Sequence, residues 1–132
     1  MKILIVDDDK TTRKMISLIL RSKGYEVVTA ENGMEALQKL GLEKINLILT
    51  DMNMPYMDGI EFTKQVRATP DFAHIPIVML TTEADEEEKN KAYEAGVDDY
   101  IVKPATAEQI IDSMKKIIRR IFRKREEGGI NV

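Results

Sequence analysis

Residues 49–59 read Leu-Thr-Asp-Met-Asn-Met-Pro-Tyr-Met-Asp-Gly, and this stretch decides how the chain folds. The apolar run before it, from Ile45 to Leu49, gives way there to turn-forming residues. The acidic residue at the junction, Asp51, therefore stands at the end of a predicted buried strand. Charged side chains are rarely buried without a partner, so this carboxylate is poised for chemistry rather than for packing.

Two further polar groups follow apolar runs in the same way. Residues Asp7-Asp8-Asp9, called the acidic loop below, come after the apolar residues 3–6. Lys103 and Pro104 come after the apolar residues 100–102. Each group could be ordinary by itself, since Asp is common in turns and at helix N-caps. Their repetition at successive strand ends favours a shared site. Asp9 is expected to be the N-cap of the first helix or a bystander, and not a ligand.

Short apolar runs alternate with helical patterns along the whole chain. Strands are predicted over residues 3–6, 27–30, 47–50, 77–80 and 100–102. Helices are predicted over residues 11–23, 33–40, 59–68, 85–95 and 106–122. Five such units imply right-handed crossovers and a parallel sheet covered on both faces. The pattern predicts an α/β fold of the flavodoxin-like (βα)5 kind, a three-layer sandwich with strand order 2-1-3-4-5.

That strand order places the first and third strands side by side, so Asp7, Asp8 and Asp51 should converge at one edge. Thr81 and Lys103 would lie on the same rim. Like charges about 4 Å apart repel by roughly 1 kcal/mol in water and about 4 kcal/mol at an effective dielectric of 20. A cation is needed to offset this repulsion, and oxygen ligands favour Mg²⁺.

The same residues supply the parts of a phosphoryl-transfer site. Asp51 would be the nucleophile and would form an acyl phosphate. Lys103 offers a point charge to a phosphoryl oxygen, and Thr81 offers a hydroxyl donor.

The composition excludes several other classes of site. The 132 residues contain no cysteine and one histidine, His74, so neither a thiolate nor a histidine cluster can form.

A cytoplasmic protein is expected, because residues 1–6 are too short for a signal peptide and the sequence shows no membrane span. The net charge of −3 gives no basic field for nucleic acid, and no apolar run approaches the ~18 residues of a membrane span. One segment is strongly basic and could be an anionic-partner patch, although a solvated helix face is the favoured interpretation. Its basic residues are Lys115, Lys116, Arg119, Arg120, Arg123, Lys124 and Arg125. We expect no direct nucleic-acid binding and no membrane contact.

Five motifs in order resemble the receiver domain of two-component response regulators. They are Ile5-Val6-Asp7-Asp8, residues 51–55, Met57-Asp58-Gly59, Met79-Leu80-Thr81, and residues 100–104. The resemblance covers about residues 2–122 and is closest to the stand-alone chemotaxis (CheY-like) type. It implies a receiver domain over residues 1–123 and a polar C-terminal tail over residues 124–132.

The resemblance implies a role for each residue of the site. Asp51 would be the phosphoacceptor, with a histidine kinase or phosphotransfer domain as the donor. Asp8 and Asp51 would bind Mg²⁺ with their carboxylates, Asp7 mainly through water, and Asn53 through its backbone carbonyl. Lys103 would contact the phosphoryl group. The protein would then be a signalling switch and not an enzyme, since it catalyses only its own phosphorylation and dephosphorylation.

The resemblance also implies how the switch would act. Thr81 would move toward the phosphoryl group, and Tyr100 would change rotamer with it. These changes would alter the affinity of the face made by the fourth helix, the fifth strand and the fifth helix for a downstream target. The bond between Lys103 and Pro104 would be cis.

Three other functions fit parts of the sequence. The chain could be a receiver domain excised from a longer regulator with a DNA-binding or enzymatic output. An aspartyl-phosphate phosphatase would use the same nucleophile, but that class usually has a second aspartate where this chain has Asn53. A phosphorylation-independent interaction module is disfavoured because every position of the site is filled.

Overall fold

A five-stranded parallel sheet forms the centre of the molecule, seen here in a computed structural model. The structure describes the backbone of residues 1–130 and the side chains of residues 1–124. The strands are β1 (Lys2–Val6), β2 (Glu26–Ala30), β3 (Leu47–Thr50), β4 (Ile77–Thr81) and β5 (Asp99–Val102). Their order in the sheet is β2-β1-β3-β4-β5. The predicted flavodoxin-like topology is therefore confirmed.

Helices cover both faces of the sheet. They are α1 (Lys10–Ser22), α2 (Gly33–Leu42), α3 (Gly59–Ala68), α4 (Glu86–Ala95) and α5 (Ala107–Ile130). Alternate residues of each strand point to opposite faces, so Leu4 and Val6 pack with α2, α3 and α4, and Ile3 and Ile5 pack with α1 and α5. Burial on both faces explains why the strands are almost continuously apolar.

Parallel register brings the carboxyl ends of the strands to one edge. Val6 of β1 pairs with Thr50 of β3, and Thr81 of β4 pairs with Val102 of β5. The residues that follow these strand ends are therefore neighbours across the sheet, as the sequence predicted. Aspartates begin the helices nearby: Asp9 and Asp58 accept the amide hydrogens of Thr12 and Glu61 as the N-caps of α1 and α3.

The last helix is longer than the sequence pattern predicted. The apolar period ends at Phe122, but α5 continues to Ile130, about two further turns. Among the added residues, 123–127 are Arg, Lys and Glu, which have high helix propensity, so the helix continues beyond the apolar period and also includes Gly128 and Gly129. The prediction that the helix ends at Phe122 is wrong for this reason. The division into residues 1–123 and 124–132 stays a prediction.

None of the helices in the described part of the chain is long and apolar enough to cross a membrane.

Candidate functional site

Three carboxylates meet at the carboxyl edge of the sheet. Asp7 and Asp8 follow β1 and Asp51 follows β3, and one carboxylate oxygen from each lies within 4.8 Å of the others. Asp7 is buried, Asp51 is partly buried and Asp8 is exposed. Backbone hydrogen bonds to neighbouring strands hold Asp7 and Asp51 in place. The Asp7 amide donates to Ala30 O at 3.1 Å, and the Asp51 amide donates to Val6 O at 2.9 Å. The convergence predicted from the strand order is present.

Lys103 supplies the positive charge between these acids. Its Nζ lies 2.8 Å from Asp7 Oδ2 and 3.6 Å from Asp51 Oδ2. The backbone of Lys103 is held by its amide, which donates to Thr81 O at 2.7 Å. The Lys103–Pro104 bond is cis, as the resemblance implied. Lys103 therefore sits closer to Asp7 than to the predicted phosphoacceptor.

Burial dominates the electrostatics of Asp51. It raises the pKa of this carboxyl above its ordinary value, and the Asp7 charge adds to that effect. The Lys103 charge, the Thr81 hydroxyl and the Met52 amide act in the opposite direction. The Met52 amide donates to Asp51 Oδ1 at 2.7 Å, which leaves Oδ2 as the oxygen that faces Lys103.

The donor set fits a hard divalent cation. Three carboxylates share one edge with a single lysine, so the charges of this group do not cancel. All of the available donor atoms are oxygens, which is the preference of Mg²⁺. Asn53 lies in the exposed loop after Asp51, and a metal-ligand role for its backbone carbonyl stays a prediction.

The two predicted switch residues share one neighbour, Glu83. Thr81 is fully buried, and its Oγ1 accepts the Glu83 amide hydrogen at 3.3 Å. Tyr100 is buried, and its hydroxyl donates to Glu83 O at 2.6 Å. Burial, followed by the nearby Glu83 charge, raises the pKa of Tyr100 to about 12, so its hydroxyl remains a hydrogen-bond donor at neutral pH. Movement of Thr81 and Tyr100 stays a prediction, but the Glu83 backbone connects them in this state.

Sequence reasoning missed the contacts that two residues make at the site. Arg13 of α1 donates from Nη1 to Asp7 O at 2.6 Å. Gly59 begins α3 against the backbone of Asp51, and a Cβ added there would overlap the Asp51 carbonyl oxygen. The spacing of α1 could have shown that Arg13 lies one turn after the cap residue Asp9. Nothing in the sequence identifies the backbone that Gly59 approaches.

Comparison with known proteins agrees with this geometry. The family model described as the response regulator receiver domain matches residues 3–115. The chain belongs to this receiver family. It is 41% identical over 122 residues to the chemotaxis protein CheY-3 of Vibrio cholerae, covering 92% of this chain and 94% of that protein. The crystallised chemotaxis protein CheY4 of Vibrio cholerae superimposes with a TM-score of 0.83 at 40% identity, covering 87% of this chain and 96% of that one.

A relative of another length also matches. The transcriptional regulatory protein ResD of Bacillus subtilis is 42% identical over 120 residues, covering 90% of this chain but only 48% of that protein. The receiver domain therefore occurs both in relatives of about this length and in a relative twice as long. The chain is a two-component signalling domain similar to the chemotaxis type.

Proposed function

We propose that this receiver domain accepts a phosphoryl group on Asp51 from a histidine kinase or phosphotransfer domain, in a Mg²⁺-dependent reaction. One observation carries the proposal: the Asp51 carboxylate lies between two further acids and a lysine that is 3.6 Å away. Such a site combines an oxygen nucleophile with groups for a cation and for phosphoryl oxygens.

The proposal gives each side chain a task. Asp51 Oδ2 would attack the phosphorus, the bond from phosphorus to the donor would break, and the product is an acyl phosphate. Lys103 Nζ would hold a phosphoryl oxygen, and the Thr81 hydroxyl would donate to another. Asp7, Asp8 and Asp51, with the Asn53 backbone carbonyl, would hold Mg²⁺. When bound, the cation offsets the negative charge of the carboxylates and the phosphoryl group.

Phosphorylation would reach a partner through Glu83. Because the Glu83 backbone bonds to both Thr81 and Tyr100, a shift of Thr81 toward the phosphoryl group would release or redirect the Tyr100 hydroxyl. Tyr100 lies on β5 beside α4, where its ring centroid is 6.4 Å from that of Tyr93. The face of α4, β5 and α5 would then differ between the two states, and a downstream protein that binds them unequally would respond.

Mass spectrometry of the intact chain tests the proposal. Incubation with acetyl phosphate and Mg²⁺ should add one phosphoryl group, and fragmentation should locate it on Asp51. The adduct should not form when EDTA removes the cation before acetyl phosphate is added. An adduct on another residue, or an equal yield in EDTA, would contradict the proposed chemistry.

Replacing Lys103 by methionine should change cation binding and phosphorylation in opposite directions. Lys103 Nζ forms an ion pair with Asp7 Oδ2 at 2.8 Å and therefore competes with a cation for that carboxylate. Removing the lysine charge should tighten Mg²⁺ binding by about tenfold. The same change removes the donor for the phosphoryl oxygen and should slow phosphorylation by about 100-fold or more. Calorimetric Mg²⁺ titration and the rate of adduct formation measure the two effects. Lys64 is an exposed residue of α3, so Lys64→Met is the matched control and should change neither.

A second candidate is a receiver domain that belongs to a longer regulator. The match to ResD favours it, because that protein is about twice the length of the shared region. The same phosphorylation chemistry would then control an attached DNA-binding or enzymatic output. The genomic reading frame that follows residue 132 decides between the two candidates.

A further inference from the structure

We infer that Arg13 is a positioning residue for the phosphorylation site, because it fixes the backbone from which Asp8 projects. The inference rests on the proposed function and concerns a residue that touches neither the phosphoacceptor nor Lys103 in the described hydrogen bonds. Arg13 lies on α1, in the first turn after the acidic loop. Its side chain is only 12% exposed, so the guanidinium is largely removed from water.

The guanidinium is directed at the acidic loop. Nη1 donates to the Asp7 carbonyl oxygen at 2.6 Å, a short charge-assisted hydrogen bond. Nη2 lies 3.5 Å from Glu31 Oε1, and that carboxylate is mostly exposed. Burying a guanidinium costs solvation that one long, exposed ion pair does not replace. The bond to the Asp7 carbonyl is therefore the main contact that this side chain makes with charged or polar groups.

This bond holds the peptide unit that joins Asp7 to Asp8. Two further hydrogen bonds hold the neighbouring backbone. The Asp7 amide donates to Ala30 O, and the Asp9 amide donates to the Asp7 side chain at Oδ1, at 2.9 Å. Asp8 itself is exposed, and among the described hydrogen bonds none reaches its carboxylate. The place of Asp8 among the three carboxylates therefore depends on the backbone before it, where Arg13 acts.

The two possible roles of Arg13, positioning of Asp8 and plain positive charge, predict opposite changes in Mg²⁺ affinity when Arg13 is replaced. A positive charge near a cation site repels the cation, so loss of Arg13 would tighten Mg²⁺ binding if only its charge mattered. Loss of a group that orients the ligands weakens binding, and outer contacts of this kind are typically worth about 10- to 100-fold in metal affinity. The sign of the change in Mg²⁺ affinity therefore separates the two roles.

The experiment compares Arg13→Met with Lys14→Met in the full chain. Lys14 is the next residue of α1 and is exposed, so its replacement removes the same charge without a contact to the acidic loop. Calorimetric titration with MgCl₂ should show roughly tenfold weaker binding for Arg13→Met and unchanged or slightly tighter binding for Lys14→Met. Without metal, amide hydrogen exchange at Asp9, whose amide donates to Asp7 Oδ1, should be faster in Arg13→Met only.

A lysine variant provides the conservative comparison. Arg13→Lys keeps the charge but replaces the planar fork with one ammonium group, so its Mg²⁺ affinity should lie between those of wild type and Arg13→Met. If Arg13→Met does not fold, weaker binding by Arg13→Lys supports the inference, and unchanged binding and exchange overturn it. Equal or tighter Mg²⁺ binding by folded Arg13→Met also overturns it. Failure of the wild type to bind Mg²⁺ or to form the acyl phosphate would instead count against the proposed function.

Discussion

Replacing Asp51 by asparagine should abolish phosphorylation and at the same time make the metal-free protein more stable. Asparagine has no carboxylate to attack phosphorus, so no acyl phosphate can form at this position. The stability gain follows from burial and from the Asp7 charge, both of which disfavour the ionised carboxyl. The Lys103 charge acts in the opposite direction, but burial outweighs it, so the ionised carboxyl is disfavoured on balance. Removing the charge should therefore raise the unfolding free energy by about 1 kcal/mol without Mg²⁺.

The pH dependence of this gain has a definite sign. The Asp51 pKa is raised in the folded state above the ordinary value of 3.8, so the native carboxyl holds its proton more strongly than the unfolded one. Its contribution to stability is present below pH 3.8 and is lost as pH rises through the folded pKa. Wild type and Asp51→Asn should therefore be most alike in acid and should diverge as the pH rises. Chemical denaturation at a series of pH values measures the difference.

Asp58→Asn is a control with the same chemical change. Asp58 is exposed and caps α3 by accepting the Glu61 amide at 2.8 Å, and asparagine serves as an N-cap equally well. This variant should be phosphorylated like the wild type and should have nearly the same stability. Labelling of Asp51→Asn at the wild-type level would disprove the proposed acceptor. If Asp51→Asn were less stable than the wild type without Mg²⁺, the argument that burial disfavours the Asp51 charge would be disproved.

The fold and the position of the site could be predicted because both follow from where strands end. Five apolar runs separated by helical patterns leave few parallel topologies. Once β1 and β3 are neighbours, Asp7 and Asp51 must share an edge. Lys103 could be placed on the same rim because it follows β5 directly. These conclusions depend only on backbone topology, which can be predicted from hydrophobic periodicity.

The contacts between side chains could not be predicted in the same way. Lys103 has a long, flexible stem and can reach more than one carboxylate, and only packing decides that Asp7 is nearer than Asp51. Arg13 lies on a helix that carries several other polar residues, and the sequence pattern does not show that its guanidinium turns toward the Asp7 carbonyl oxygen instead of solvent. The end of α5 was misjudged because helix propensity continues where hydrophobic periodicity stops.

Gly59→Ala should destabilise the fold strongly, by about 3 kcal/mol, although it adds only one methyl group. The Gly59 amide donates to Met52 O at 2.7 Å, which brings the start of α3 against the strand end. An added Cβ would overlap the Asp51 carbonyl oxygen and lie 2.8 Å from Met52 Cα. Backbone atoms cannot turn aside as a flexible side chain can, so the helix or the loop must shift. Urea denaturation measures the loss.

Gly41→Ala makes the same change where there is room for it. Gly41 is in α2, and nothing lies within 4 Å of an added Cβ, so alanine should stabilise the protein by about 0.5 kcal/mol through its better helix propensity. The pair separates steric overlap from the general effect of replacing glycine. If Gly59→Ala proved as harmless as Gly41→Ala, the close approach of α3 to Asp51 would be refuted. Because the overlap falls on the phosphoacceptor's own carbonyl, the folded fraction of Gly59→Ala should also form the acyl phosphate more slowly, whereas Gly41→Ala should keep the wild-type rate.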